Sequence, residues 1–418
     1  MGPGWYLASK LMWNIDASVP GILDDFYDKA FGPARPPMQR MLERWATSFQ
    51  ANSHELSLSF RDMKAAMDLA ANDPAILARL DDYAGYLQFL RLKLEFFAEK
   101  EPVKKEAARL ALLQHLWNTY DSAMVHTFRL YQFLVDFGRL TKPMAVFNIY
   151  DPNTPGWKKV AAPTHRDLLA LIEDGIAKYP PLGFDFRSYA GKLKPVPQAA
   201  LEGTKLPVGE WSEPTIYFRN GLRLELDATV DRLSFPLRVS CPASDPHKKP
   251  TLITVKDGTG KTVQETKVAG TENWATESKE VTLAVPQPGR YTVTLENPNG
   301  FRFIAPAKVR LTITATFLTQ QHTGRLYVYV PKGIRRIAVA CPQDIPPNVW
   351  DAAGTLTKAA SYDGGALIAI DVPEGQDGKV WSLTIRAPDL PVRLLNIPEV
   401  FAFFPDTLMV PQDAISTP

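Results

Sequence analysis

The sequence predicts an α+β chain with several domains: an N-terminal all-α helical bundle followed by two tandem antiparallel β-sandwich domains. Three observations predict it. Apolar residues recur at helical spacing as far as about residue 180. Beyond that point Pro, Gly and Thr become frequent and the apolar pattern turns to alternation. Finally, two stretches of the second half read as distant copies of each other. The 418 residues, 45% of them hydrophobic, suffice for about two to four domains with their own cores. The expected boundaries are 1–182 for the helical domain, 183–214 for a linker, 215–318 for the first sandwich and 319–418 for the second.

The chain opens with Gly2-Pro3-Gly4 running into an apolar helix, Trp5 to Trp13. A helix beginning at Pro36-Pro37 carries Met38, Met41, Trp45 and Phe49, and is expected to break around Ser53–Ser59 and resume with Asp62 near its new start. The clearest helix bears Ile76, Leu80, Tyr83, Leu87, Leu90, Leu94 and Phe97, with steps of four and three throughout. It starts behind Asn72-Asp73-Pro74, a cap followed by proline in the first turn, and ends before Pro102. A second long stripe is Leu113, Trp117, Tyr120, Met124, Phe128, Tyr131 and Val135. A fully buried large apolar side chain contributes roughly 1.5–3 kcal/mol, so such stripes must pack together or against another surface. A further helix spans about Thr164 to Lys178, and Pro180-Pro181 stops it. Met144 to Tyr150 reads either as a strand or as an apolar connector. The Pro-, Gly- and Lys-rich stretch from Gly183 to Pro214 reads as a linker draped on a neighbour.

In the second half, Leu222, Leu224, Leu226 and Ala228 alternate with Arg223, Glu225 and Asp227, the period of a half-buried strand. Tyr291, Val293 and Leu295 alternate likewise after Pro288-Gly289. The internal copies match in order. Leu237 to Pro242 corresponds to Ile337 to Pro342, and the turn Asp257-Gly258-Thr259-Gly260-Lys261 to Asp351-Ala352-Ala353-Gly354-Thr355. Val281 to Leu295 corresponds to Leu367 to Ile385. Cys241 and Cys341 then hold equivalent places, which reads as one buried strand thiol per module rather than a disulfide.

Composition excludes several function classes. The formal net charge is only +2, so no basic field points to nucleic acid, and His247-Lys248-Lys249 reads as a solvated turn. Two cysteines make no disulfide framework, and the six histidines are scattered, so no metal or other cofactor is expected. His115 and His126 fall near one side of a helix without a third ligand. No apolar run reaches the roughly 20 residues a spanning helix needs, so no membrane partner is expected. The first 20 residues lack the pattern of an export signal.

Catalytic patterns fail in turn. Asp257 to Thr262 ends like a phosphate loop, but Val255 stands where that motif needs glycine, and an Asp-Gly hairpin turn is the better reading. Asp24-Asp25, placed at the start of a helix, and Asp81-Asp82, on a polar face, read as capping or solvated acids rather than a glycosidase pair. No catalytic residue is assigned.

The opening Gly2-Pro3-Gly4-Trp5-Tyr6-Leu7, with Trp13-Asn14-Ile15-Asp16, Asp24-Asp25-Phe26-Tyr27 and Phe31-Gly32-Pro33-Ala34, resembles an uncharacterised bacterial family of glycoside-hydrolase-like proteins. Gly324 to Gly333, Trp381-Ser382-Leu383 and the tail Leu408-Met409-Val410-Pro411 are similar to that family's closing module. Members carry a (β/α)₈ barrel, a helical region and C-terminal β-sandwich modules, and this chain resembles the part after the barrel. The resemblance implies an accessory region for polysaccharide processing, non-catalytic by itself, with a barrel missing from the chain and a secreted or periplasmic full-length parent. Five residues are then candidates for carbohydrate contact. Trp5, Tyr6 and Lys10 would border a barrel's sugar pocket, and Trp274 and Trp350 are loop tryptophans of the sandwiches. The competing expectation for all of them is packing. The alternative function is an independent protein–protein interaction or scaffold protein with β-sandwich modules, which a closed helical surface would favour; an exposed apolar face along residues 5–13 would favour the accessory reading.

Overall fold

The computed structural model describes residues 2–48, 52–119, 162–184, 187, 189–204, 209–212, 216–243, 249–319, 324–341, 346–363, 366–385 and 391–416. Tyr120 to Val135, the 144–150 segment and His247-Lys248 lie outside them. The chain divides into two compact units, Met1–Leu182 and Gly183–Pro418. The first is helical and the second is built of antiparallel strands, so the chain is α+β.

Among the described residues, the first unit holds seven helices: α1 (Pro3–Trp13), α2 (Val19–Phe31), α3 (Arg35–Ser48), α4 (Ser53–Leu69), α5 (Pro74–Ala98), α6 (Pro102–Asn118) and α7 (His165–Lys178). Proline in the first turn and a side-chain cap recur, because proline needs no N–H partner there and the cap satisfies orphan donors. Asp73 accepts from the Ala75 and Ile76 amides at the head of α5, and Glu101 from Val103 and Lys104 at α6. Thr164 and Asp167 close a reciprocal capping box on α7. Six residues of the α5 stripe, Ile76 to Leu94, are buried, and Phe97 is half-buried. The burial also extends beyond one stripe: Phe89, Phe96, Gln88 and Arg91 are enclosed too, which makes α5 the helix the others surround.

Two expectations are corrected. Chain interruption between α3 and α4 falls before Ser53, not across Ser53–Ser59, because Asn52 caps α4 by accepting from the Glu55 amide. Asp62 is therefore mid-helix, held by Arg40 at 2.8 Å and Arg44 at 2.6 Å instead of serving a helix start. Asp24-Asp25 likewise sits in the middle of α2, whose first turn contains no acid. Asp24 pairs with Arg35 and Asp25 with Lys29.

The second unit contains β1 (Leu193–Pro195), β2 (Tyr217–Ala228), β3 (Leu233–Ser240), β4 (Thr251–Asp257), β5 (Thr262–Val268), β6 (Lys279–Val285), β7 (Gly289–Ile304), β8 (Leu311–Ile313) and β9 (Leu318–Thr319). It continues with β10 (Leu326–Val330), β11 (Arg336–Ala340), β12 (Val349–Trp350), β13 (Ala359–Tyr362), β14 (Leu367–Asp371), β15 (Lys379–Leu383), β16 (Arg393–Leu394), β17 (Phe401–Ala402), β18 (Met409–Pro411) and a short terminal helix α8 (Gln412–Ser416). The Gly183–Pro214 stretch supplies β1, which pairs with β18.

The pairings repeat. β7 lies beside β2 and β4, and β15 beside β10 and β12. β3 pairs with β6, and β11 with β14. β8 pairs with β2, β17 with β10, and β8 and β17 pair with each other, which joins β12-β15-β10 to β2-β7-β3-β6 in one sheet path, whereas β11 and β14 belong to a separate sheet with β13 and β16. The turns repeat as well. The Asp257 amide donates to Lys261 O, Gly260 N–H to Asp257 O, and Lys261 N–H to the Asp257 carboxylate. The Asp351 amide donates to Thr355 O, Gly354 N–H to Asp351 O, and Thr355 N–H to the Asp351 carboxylate. Both turns need a left-handed residue, supplied by Gly260 at φ +86° and Gly354 at φ +82°. Cys241 follows β3 and Cys341 follows β11; both are buried and neither forms a disulfide. Burial pushes the Cys341 thiol up to about 12.

Candidate functional site

No residue of α1 is buried. Trp5 is 76% exposed, Met12 87%, Trp13 92% and the following Ile15 85%. Tyr6 is the helix's anchor: its ring lies 5.5 Å from that of Phe26, and its hydroxyl donates to the Asp25 carboxylate at 2.5 Å. Lys29 and then this hydroxyl hold the Asp25 carboxyl below its usual range. The Lys10 ammonium stands 5.2 Å from the centre of the Tyr6 ring. Tyr6 and Lys10 are thus brought together, whereas Trp5 and Trp13 project into solvent. The result is an aromatic, exposed surface on α1.

The two sandwich candidates have separate neighbourhoods. Trp274, in the β5–β6 loop, is half-buried and tilts against Tyr217 at 5.2 Å, and Arg302 donates to its carbonyl. Trp350 is in β12 rather than in a loop; it pairs with Ser382, and the Arg325 guanidinium caps its ring at 4.1 Å. Trp211 is capped in the same way by Arg238, at 4.0 Å. Each ring therefore has one partner already.

The acidic residues singled out in the sequence have partners of their own. Asp81 is engaged by His165 at 2.7 Å, so it is not merely solvated. His115 is buried with Nε2 2.7 Å from Gly85 O, and burial lowers its pKa. Among the described residues the most strongly perturbed acid is Glu55, which burial on α4 pushes up to about 7 against the pull of Arg44, 3.6 Å away. Asp62 shares Arg44 and adds to the upward push, and His54 is buried beside it in sequence. This is an internal charge cluster of the helix bundle. Among the described residues no group of His, Cys, Asp and Glu is placed to hold a metal ion, and no helix is long and apolar enough to cross a membrane.

Two cavities in the second unit were not anticipated. One, of about 730 Å³, is lined by Tyr189, Lys192, Lys194, Arg223, Glu225 and Arg290, among others. The other, of about 500 Å³, shares Arg223 and Ala315 with it and adds Arg219, Asn220 and Glu296. The alternation of Arg223, Glu225 and Asp227 marked a polar strand face in the sequence. Nothing local indicated that Lys192 and Lys194 return to that face.

No protein-family model matches the chain, and no curated protein matches it. Among solved structures there is a similarity to dimeric latent PorU from Porphyromonas gingivalis, 9% identical over 53% of this chain and 24% of that one, with a TM-score of 0.15. The chain thus spans about a quarter of that protein's length, and so faint a likeness carries no argument about fold or function.

Proposed function

We propose that the chain is an accessory, non-catalytic protein of polysaccharide processing: its helical unit docks through α1 on a catalytic domain, and its β-rich unit supports or binds carbohydrate. The observation that carries this is the exposed apolar surface of Trp5, Met12, Trp13 and Ile15. Each such side chain contributes roughly 1.5–3 kcal/mol when buried, so a partner surface would gain strongly by covering them. The resemblance to the glycoside-hydrolase-like family supplies the class of partner, a (β/α)₈ barrel. The β-rich unit is read as two related sandwich modules in tandem. The repeated pairings, the matched Asp257 and Asp351 turns, and the Tyr291 hydroxyl donating back to Gln287 O, as sandwich corners do, support that reading.

Tryptophan emission tests the docking. A purified barrel domain from the resembling family should shift the chain's emission to the blue, and the Trp5→Ala/Trp13→Ala variant should remove the shift. Absence of binding to any such barrel refutes it. A second reading, a protein-interaction scaffold, is favoured by the partners already stacked on Trp274 and Trp350, which leave less ring surface for sugars. A partner without a barrel that protects α1 would select it.

A further inference from the structure

The row Tyr327, Ala402, Thr312, Glu225 and Thr292 runs in register across β10, β17, β8, β2 and β7, so these side chains share one face of the sheet. Its chemistry changes midway. Tyr327 and Ala402 are buried under a small apolar layer with Val196, Leu408 and Val410. That layer reaches Thr312, whose hydroxyl accepts the Met409 N–H, and Arg290 reaches the Leu193 carbonyl from the open side. Beyond it the face is polar and bare. The larger cavity lies at this step, with Lys192 to Lys194 on one wall and Arg223, Glu225 and Arg290 below.

The groove continues because the edge of β2 opens. β2 pairs at Leu224–Ile313 and again at Arg219–Leu318, and the second cavity sits between, against residues 315–318. On the other edge of β2, the pairing with β7 shifts register between Phe218 and Asn220, with Asn220 at φ +67°, and bulges of this kind commonly border binding sites. Five cationic residues line the two cavities, Lys192, Lys194, Arg219, Arg223 and Arg290, against two carboxylates, Glu225 and Glu296. Thr294, Thr314, Thr316 and Asn220 add hydroxyl and amide groups, and the aromatic rings are only Tyr189, half-buried against the apolar layer, and the buried Phe317. Stacked bases need a series of such rings; hydroxylated, negatively charged chains need cations interspersed with hydrogen-bonding groups.

We propose that this groove binds an acidic polysaccharide, a chain bearing uronate or sulfate groups, with Lys192, Lys194 and Arg223 as its charge contacts. It deepens the carbohydrate reading above and rests on it. Affinity electrophoresis of the full chain through gels containing polygalacturonate, alginate, dextran sulfate or neutral laminarin tests it, with Lys192→Glu/Lys194→Glu and Arg223→Glu alongside and their thermal midpoints checked. Retardation by an acidic glycan, weakened about tenfold by either variant and by raising salt from about 0.05 to 0.5 M, is the expected result. Acidic-glycan binding that ignores both variants, or oligothymidylate binding of equal strength, overturns the site. Retardation by laminarin alone overturns it while leaving the carbohydrate reading intact, and retardation by no glycan overturns both.

Discussion

Two helices of the first unit, α1 and α5, are both rich in large apolar residues, yet α5 is enclosed on most sides and α1 on none. α5 has neighbours on several faces: Phe31 of α2 meets Tyr83 edge-on, Trp45 of α3 meets Tyr86, and Arg91 reaches Asp174 of α7 at 2.6 Å. α1 touches its unit chiefly through Tyr6. The difference teaches that apolar composition signals burial somewhere without saying against what.

The largest effect that sharpens this contrast lies in α5. Leu87 is fully buried, so Leu87→Ala should destabilise the helical unit by about 3 kcal/mol in urea unfolding, through lost transfer energy and the cavity left. Of similar size is the effect of pH at Glu55. Its folded pKa of about 7 lies above the ordinary 4.5, so the folded state holds this proton more tightly. The associated stability is present below about pH 4.5 and lost as pH rises through about 7, a slope amounting to roughly 3 kcal/mol. Glu55→Gln should flatten that slope, because Arg44 keeps Asp62 as its partner. Next, a Cβ on Gly175 of α7 would stand 2.7 Å from the Phe60 ring of α4. Gly175→Ala should therefore lower stability by about 1–2 kcal/mol despite alanine's better helix propensity, read as a fall in the thermal midpoint. The smallest change is expected at α1. Trp13→Ala should alter stability by less than about 0.5 kcal/mol, and a larger loss would mean the residue packs within the chain.

The sequence and structure part company at informative places. The α5 stripe was legible because its four-and-three spacing and Asp73-Pro74 start act locally. Burial of Phe89 and Phe96 was not, because it depends on which helices come to lie on the other faces. Asp62 looked like a helix start, since an acid near a serine-rich break usually caps; Arg40 and Arg44, on another helix, recruit it instead. Asp24-Asp25 misled in the same way, as Arg35 and Lys29 hold these acids mid-helix. The Asp257 hairpin was readable because its turn chemistry is contained in five residues. Trp350 read as a loop residue because only its pairing with Ser382, far along the chain, makes it a strand. The cationic groove was illegible for a related reason: Lys192 and Arg223 meet only because β1 pairs with β18 across most of the unit's length.

Amide hydrogen exchange over residues 3–13, with and without a barrel domain of the resembling family, tests the central claim most directly. Docking through α1 predicts rapid exchange in the isolated chain and marked slowing when the barrel is added, abolished in Trp5→Ala/Trp13→Ala. Slow exchange in the isolated chain, or rates the barrel leaves unchanged, would contradict it.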